Sequence, residues 1–151
     1  MSGDWHLRLA RPHDAAAMVA LGQAVAVPQD PTKALDEAEL RRLIGRRYCL
    51  VANVGDTLAG FLLNDPEKRN LNIRALGVAP AYRQRGIGQG LLRACMIDAR
   101  NAGFAALTLT ARCAAEWEAA FYARLGFQRV HGEADQKADA SLRCEMVLPL
   151  R

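Results

Sequence analysis

Hydrophobic and polar positions alternate every second residue over residues 5–10, a strand pattern, and the spacing then lengthens to that of a helix. The helix begins at Asp14, with Ala15, Met18, Val19, Gly22 and Val25 on one face, and the two prolines of VPQDPTK, residues 27–33, end it. A second helix carries Leu40, Leu43 and Ile44. Residues 48–54 and 57–63 flank Gly55-Asp56 as a hairpin, and the polar run 65–70 reads as a turn. An apolar strand with Leu71, Ile73, Leu76 and Val78 follows, then a helix with Leu91, Leu92, Cys95, Met96 and Ala99 at helical spacing. Residues 105–110 alternate again, and residues 116–125 form a helix that Gly126 ends as a left-handed cap. The polar loop 132–141 leads to a last strand over 142–150. No internal repeat, low-complexity stretch or interdomain linker interrupts this order, which predicts a single α/β domain over residues 1–151.

Chemistry concentrates between the strand ending at Val78 and the helix carrying Leu91. There the chain reads LGVAPAYRQRGIGQGLL from Leu76 to Leu92. Gly86 and Gly88 lack a Cβ, so the backbone can turn tightly and gather N–H groups at the positive end of the following helix. Backbone groups from Gln84, Arg85, Gly86, Ile87 and Gly88, supported by Gln89 and Gly90, are expected to cradle a diphosphate. Arg83 and Arg85 add fork-shaped cations suited to phosphate oxygens, and Pro80 stiffens the chain after the strand. No Gly-Lys-Ser/Thr follows, so this is not a Walker loop, and the third glycine and ribose-binding acid of a dinucleotide fingerprint are not in place.

Val78-Ala79-Pro80, Arg83-Gln84-Arg85-Gly86-Ile87-Gly88 and Leu91-Leu92 together resemble the acetyl-coenzyme A signature of the GNAT acetyltransferases, Arg/Gln-x-x-Gly-x-Gly/Ala. Phe121-Tyr122-Ala123-Arg124-Leu125-Gly126-Phe127 is similar to the family's later helix-to-strand element, and Leu7 to Asp14 to its opening strand and helix start. The resemblance implies a GNAT-like fold: one mixed, mostly antiparallel sheet flanked by helices, with adjacent central strands splayed to admit the pantetheine arm. It implies acetyl-CoA as cosubstrate, no metal, and an amine acceptor that attacks the thioester directly in a ternary complex. Leu76, Gly77 and Val78 would offer backbone groups to the pantetheine arm and the oxyanion. Gly77 within an apolar strand predicts a bulge or a close backbone approach to a ligand. Tyr122 would protonate the departing thiolate, since a phenol is protonated at neutral pH.

Two positions depart from the family pattern. Asn72 stands where members with a strand glutamate place their base, and an amide cannot accept the proton. Ala115 stands where the family often has an asparagine, seven residues before the tyrosine. The expected base is therefore an ordered water or a carboxylate from the acceptor side, where the resemblance places Asp30, Asp36, Glu37, Glu133 and Asp135. The acceptor is left open among small-molecule amines, peptide N-termini and lysine side chains, and a homodimer is left open too.

Composition changes little. Half the chain is hydrophobic, at 51%, enough for one substantial core at 151 residues. No apolar run reaches bilayer length and the first residues do not form a signal peptide, so a cytoplasmic, membrane-free protein is expected. Cys49, Cys95, Cys113 and Cys144 lack metal-ligand spacing and read as reduced, mostly buried thiols. His6, His13 and His131 read as surface or strand-end residues, and Trp5 and Trp117 as packing residues. A formal charge of +4 suggests nucleic-acid binding, yet the arginines are dispersed rather than clustered with aromatics, and no nucleic-acid partner is expected. Beside the transferase stand a noncatalytic module binding CoA or another nucleotide diphosphate, and a nucleic-acid-binding domain suggested by charge alone.

Overall fold

The computed structural model describes residues 5–25, 36–112, 116–130 and 143–150. Strand β1 (Trp5–Leu9) leads through a single tight turn of helix at Pro12–Asp14 into α1 (Ala15–Val25). Helix α2 (Glu37–Gly45) precedes the hairpin of β2 (Cys49–Val54) and β3 (Thr57–Glu67), whose turn is made by Gly55 at φ +60°. Then come β4 (Asn70–Val78), α3 (Ile87–Asn101), β5 (Ala106–Arg112), α4 (Glu116–Arg124), β6 (Gln128–Arg129) and β7 (Arg143–Pro149). The expected break at 27–33 and the loop 132–141 lie outside the described residues.

The strands form one sheet in the order β1-β2-β3-β4-β5-β7-β6. Every pairing is antiparallel except β4 with β5. A parallel pair needs a long crossover, and α3 supplies it. The hydrophobic stripes read from the sequence divide between the two faces. Leu62, Leu71, Ile73, Leu107 and Leu109 pack under Leu91, Leu92 and Cys95 of α3 and Tyr122 of α4. On the other face Val51, Phe61 and Leu63 meet Met18 of α1 and Leu40, Leu43 and Ile44 of α2. Each such side chain contributes about 1.5–3 kcal/mol on burial, so the anion loop hangs on a rigid frame.

β3 runs further than the polar composition of residues 65–70 predicts. Asp65, Pro66 and Glu67 pair with Asn72, Leu71 and Asn70, and the reversal is confined to Lys68, at φ +59°, and Arg69. The β2 side accompanies β3 as far as Asn64, whose N–H reaches the Tyr48 carbonyl at 3.1 Å, and no β2 residue pairs with Asp65–Glu67, where a proline without an N–H is tolerated. Asp65 finds partners in Arg42 and Arg74 at 4.0 and 3.8 Å.

The central strands diverge. β4 pairs with β5 only from Asn70↔Ala106 to Ile73↔Leu109, although both strands continue, to Val78 and Arg112. Opposite β3, Leu63 pairs with Ala75 and Asn64 with Ile73, leaving Arg74 as an extra residue in β4. That bulge sits where the divergence starts, and a bulge bends its strand and sharpens its twist. The bulge lies at Arg74 and not at Gly77, which keeps regular register opposite Phe61. Gly77 serves a close approach of another kind: a Cβ on Gly60 would fall 3.0 Å from its carbonyl oxygen.

Candidate active site

The chain leaves β4 with the Ala79 N–H bonded to the Ala59 carbonyl at 2.8 Å, which fixes where the loop begins. A single helical turn at Pro80–Tyr82 follows, then Gln84 at φ +64° and Gly86 at φ +82°. Two left-handed residues so close together reverse the chain sharply into α3. Gly86 is the N-cap. It supplies no capping side chain, and the first turn holds no acidic residue. The first helical N–H to find its acceptor within this turn is that of Gly90, to the Gly86 carbonyl at 2.9 Å. The N–H groups before it form the positive end of the helix dipole. No aspartate or glutamate occurs between Glu67 and Asp98, whereas Arg74, Arg83, Arg85 and Arg93 do, so the local field favours an anion.

The residues expected to bind a cofactor come together around this junction, with divided tasks. Leu76, Gly77 and Val78 lie on the β4 segment that β5 does not pair. Arg83, Gln84, Arg85 and Gln89 are exposed beside it. Arg83 donates from Nε to the Val78 carbonyl at 3.4 Å, and the Arg85 guanidinium lies 5.3 Å over the Tyr82 ring, so both cations also brace the loop. Ile87 turns its side chain into the core. Gly88 is an ordinary helical residue rather than part of the tight turn. A Cβ there would rest 3.7 Å from Phe121 Cζ and Val78 Cγ2, in normal contact, so the turn itself does not need a glycine at this position. Gly90 is glycine for another reason: its Cβ would fall 2.5 Å from Cη2 of Trp5.

Tyr122 is completely enclosed, between Phe121 and Phe127 with ring centroids 5.2 and 5.6 Å away. The backbone reason is local: the N–H groups of Leu125 and Phe127 both donate to the Tyr122 carbonyl, and Gly126 turns at φ +104°. Through its neighbour Phe121, the tyrosine adjoins the start of α3. Asn72 lies at the closed end of the divergence, where its Nδ2 donates to Thr108 Oγ1 at 2.9 Å across the last pair but one of β4 and β5.

Asp36 caps α2 by accepting from the Ala38 N–H, and Glu37 pairs with Arg41 at 3.1 Å. His6 and His13 are exposed, as expected. Burial pushes the Cys49 and Cys95 thiols up to about 12, which makes them poor nucleophiles. Asp30, Cys113, Ala115, His131, Glu133 and Asp135 lie outside the described residues. Among the described residues no group of three or more His, Cys, Asp or Glu is placed to hold a metal ion, and no helix is long and apolar enough to cross a membrane.

Two neighbours of the site escape sequence reasoning. Arg74 occupies the bulge and is held by Glu39 of α2 and by Asp65. Trp5 donates from its indole N–H to the Arg85 carbonyl at 3.0 Å. The alternation of β1 puts Trp5 on the face of Leu7 and Leu9, but no local signal says that a loop eighty residues away lies there.

The same architecture occurs in known proteins. The Ard1 structure from Thermoplasma volcanium superposes with a TM-score of 0.80 at 20% identity, over 97% of each chain. The ribosomal-protein-S18-alanine N-acetyltransferase from Escherichia coli gives 0.78 at 19%, over 97% of this chain and 94% of that one. The PaiA N-acetyltransferase from Thermoplasma acidophilum, in complex with coenzyme A, gives 0.78 at 17%, over 96% and 98%. Residues 16–127, which run from α1 through the anion loop to the end of the tyrosine helix, match the acetyltransferase (GNAT) family, and with a sheet that opens beside an uncapped helix this chain belongs to that family of enzymes.

Proposed function

We propose that the protein moves an acetyl group from acetyl-CoA to an amine acceptor by direct attack in a ternary complex. The observation that carries this reading is the uncapped, acid-free start of α3 standing beside the unpaired edge of β4. A diphosphate at the first fits N–H groups that no side chain of the helix engages, and the pantetheine arm can then pair with Leu76, Gly77 and Val78 as a short extra strand. A thioester is already activated, so alignment of amine and carbonyl supplies much of the acceleration.

Tyr122 is assigned the proton donated to the departing thiolate. Its placement on α4, one residue from the Phe121 that adjoins Gly88, supports the role; its burial serves core packing equally. Tyr122→Phe keeps the ring and removes the proton. Turnover is expected to fall about 100-fold with acetyl-CoA affinity retained, and unchanged turnover across pH overturns the assignment.

Asn72, committed to Thr108, offers no base. A water or an acceptor-side carboxylate takes that part in this reading, and Asn72→Glu should then raise the rate at low pH. No change there would point to a relay already in place.

The central experiment is thiol release from acetyl-CoA with a panel of small amines, peptide N-termini and lysine peptides, alongside calorimetric titration of the cofactor. Release with one class supports transfer and names the acceptor. Tight binding without release for any acceptor would favour the noncatalytic CoA-binding alternative, which the missing strand glutamate keeps in view.

A further inference from the structure

We propose that Trp5 is a positioning residue for the cofactor, holding the Arg85–Gly86 peptide so that the Gly86 N–H faces the diphosphate; the inference rests on the reading of this loop as the cofactor cradle. In a trans peptide the carbonyl of one residue and the N–H of the next point in opposite directions across one plane. The Trp5 indole N–H holds the Arg85 carbonyl at 3.0 Å from the β1 side. The Gly86 N–H is thereby turned away from the indole.

That peptide is a flexible joint of the loop. It runs into Gly86, at φ +82°, which has no Cβ to bias the plane, and a Cβ added there would meet nothing within 4 Å. The cation of Arg85 rests on Tyr82, which steadies the side chain but leaves the peptide plane free to rotate. The bond from Trp5 is what removes this freedom before the cofactor arrives, and donors fixed in advance bind an anion better than donors that must be ordered on binding.

A second contact holds the indole itself. Its six-membered ring occupies the space that a side chain at position 90 would fill, with Cη2 2.5 Å and Cζ3 3.0 Å from an added Cβ. Gly90 is thus the socket in which Trp5 seats, and β1, paired with β2 from Trp5↔Val54 onward, anchors the other end. The edge strand of the sheet and the start of α3 are locked together at the one carbonyl that aims the cradle.

The test compares two acetyl donors, acetyl-CoA and S-acetylpantetheine, which carries the same thioester without the diphosphate. Trp5→Phe keeps an aromatic ring over Gly90 and deletes the N–H. It is expected to raise the dissociation constant and KM for acetyl-CoA about five- to tenfold, with kcat little changed. The kcat/KM for acetylpantetheine should stay at the parental value. Should the phenylalanine variant fail to fold, β-(3-benzothienyl)alanine at position 5 retains the bicycle and replaces the N–H by sulfur, with the same expected split. Parental acetyl-CoA affinity in the variant, or equal losses with both donors, overturns the inference. A parent that binds no acetyl-CoA overturns the cradle reading and this inference together.

Discussion

At the start of α2, Asp36 turns its carboxylate onto the Ala38 N–H at 3.0 Å, and Glu37 and Glu39 follow in the first turn; at the start of α3, Gly86 offers no side chain and no acid follows. Both helices present the same peptide dipoles. α2 neutralises its own positive end and so becomes a closed piece of scaffold. α3 leaves its end open, surrounded by exposed arginines and entered through left-handed backbone. The approach to α1 sides with α2, because Asp14 accepts from the Arg11 N–H at 2.7 Å and from both terminal nitrogens of Arg8 at 2.8 and 2.9 Å. A helix start with its own capping carboxylate and acidic first turn is closed to an anion, whereas one without either, at a fixed place in the fold, is what the proposed cofactor site requires.

The contrast can be broken most severely at Gly86. Gly86→Val puts a β-branched residue at φ +82°, which costs about 1–2 kcal/mol if the loop keeps its shape and misdirects the N–H groups if it does not. Acetyl-CoA affinity should fall about 30-fold or more while circular dichroism stays parental, with 30-fold equivalent to about 2 kcal/mol. Parental affinity in a folded variant would remove the loop from the site.

Gln89→Glu makes α3 resemble α2. The exposed side chain lies in the first turn, where a carboxylate would occupy the positive potential proposed to hold phosphate. Thermal unfolding without ligand should rise by about 1–3 °C from the helix dipole. Acetyl-CoA binding by calorimetry should weaken about tenfold, or about 1.4 kcal/mol. These opposite signs are the point of the variant: a shared rise or a shared fall would mean the two helix starts do not differ as described.

Asp36→Ala applies the reverse operation to α2. Denaturant unfolding should show a loss of about 1 kcal/mol, the usual worth of an N-cap, with acetyl-CoA affinity untouched. Weakened cofactor binding would show that α2 belongs to the site.

The smallest effect is confined to acid. Hydrogen bonds from Arg8, then from the Arg11 N–H, outweigh burial and hold the Asp14 carboxyl below its ordinary range. Its stabilisation is therefore complete above the unfolded-chain value of about 3.9 and is lost as pH falls through the lower folded value. Comparing thermal unfolding of the parent and Asp14→Asn, the gap should be widest near neutrality and should narrow below about pH 4. A gap independent of pH would assign the loss to packing rather than to the charge.

The pattern of apolar residues was sufficient for most of the elements. Leu40, Leu43 and Ile44 gave α2, Leu91 to Ala99 gave α3, and Gly126 ended α4 as the glycine cap the spacing required. Asp65 to Glu67 misled, because polar residues read as a turn when no partner strand is in view, and only β4 and the guanidinium groups of Arg42 and Arg74 turn them into strand. Of the two loop glycines, Gly86 is required by its left-handed backbone and Gly88 is not, a distinction that depends on where the helix begins.

By itself the sequence determined what is local: periodicity, turn chemistry and the glycine and arginine spacing of the loop before α3 are set by neighbours a few residues apart, and these carry the family and mark the loop proposed to hold the cofactor. The tertiary structure decided the bulge at Arg74, the residue at which β4 and β5 part, the closure of their apex by Asn72 and Thr108, and the seating of Trp5 over Gly90. Each of these depends on which distant segments meet and in what register, and strand pairing fixes that register across the whole sheet rather than within any one stretch of chain.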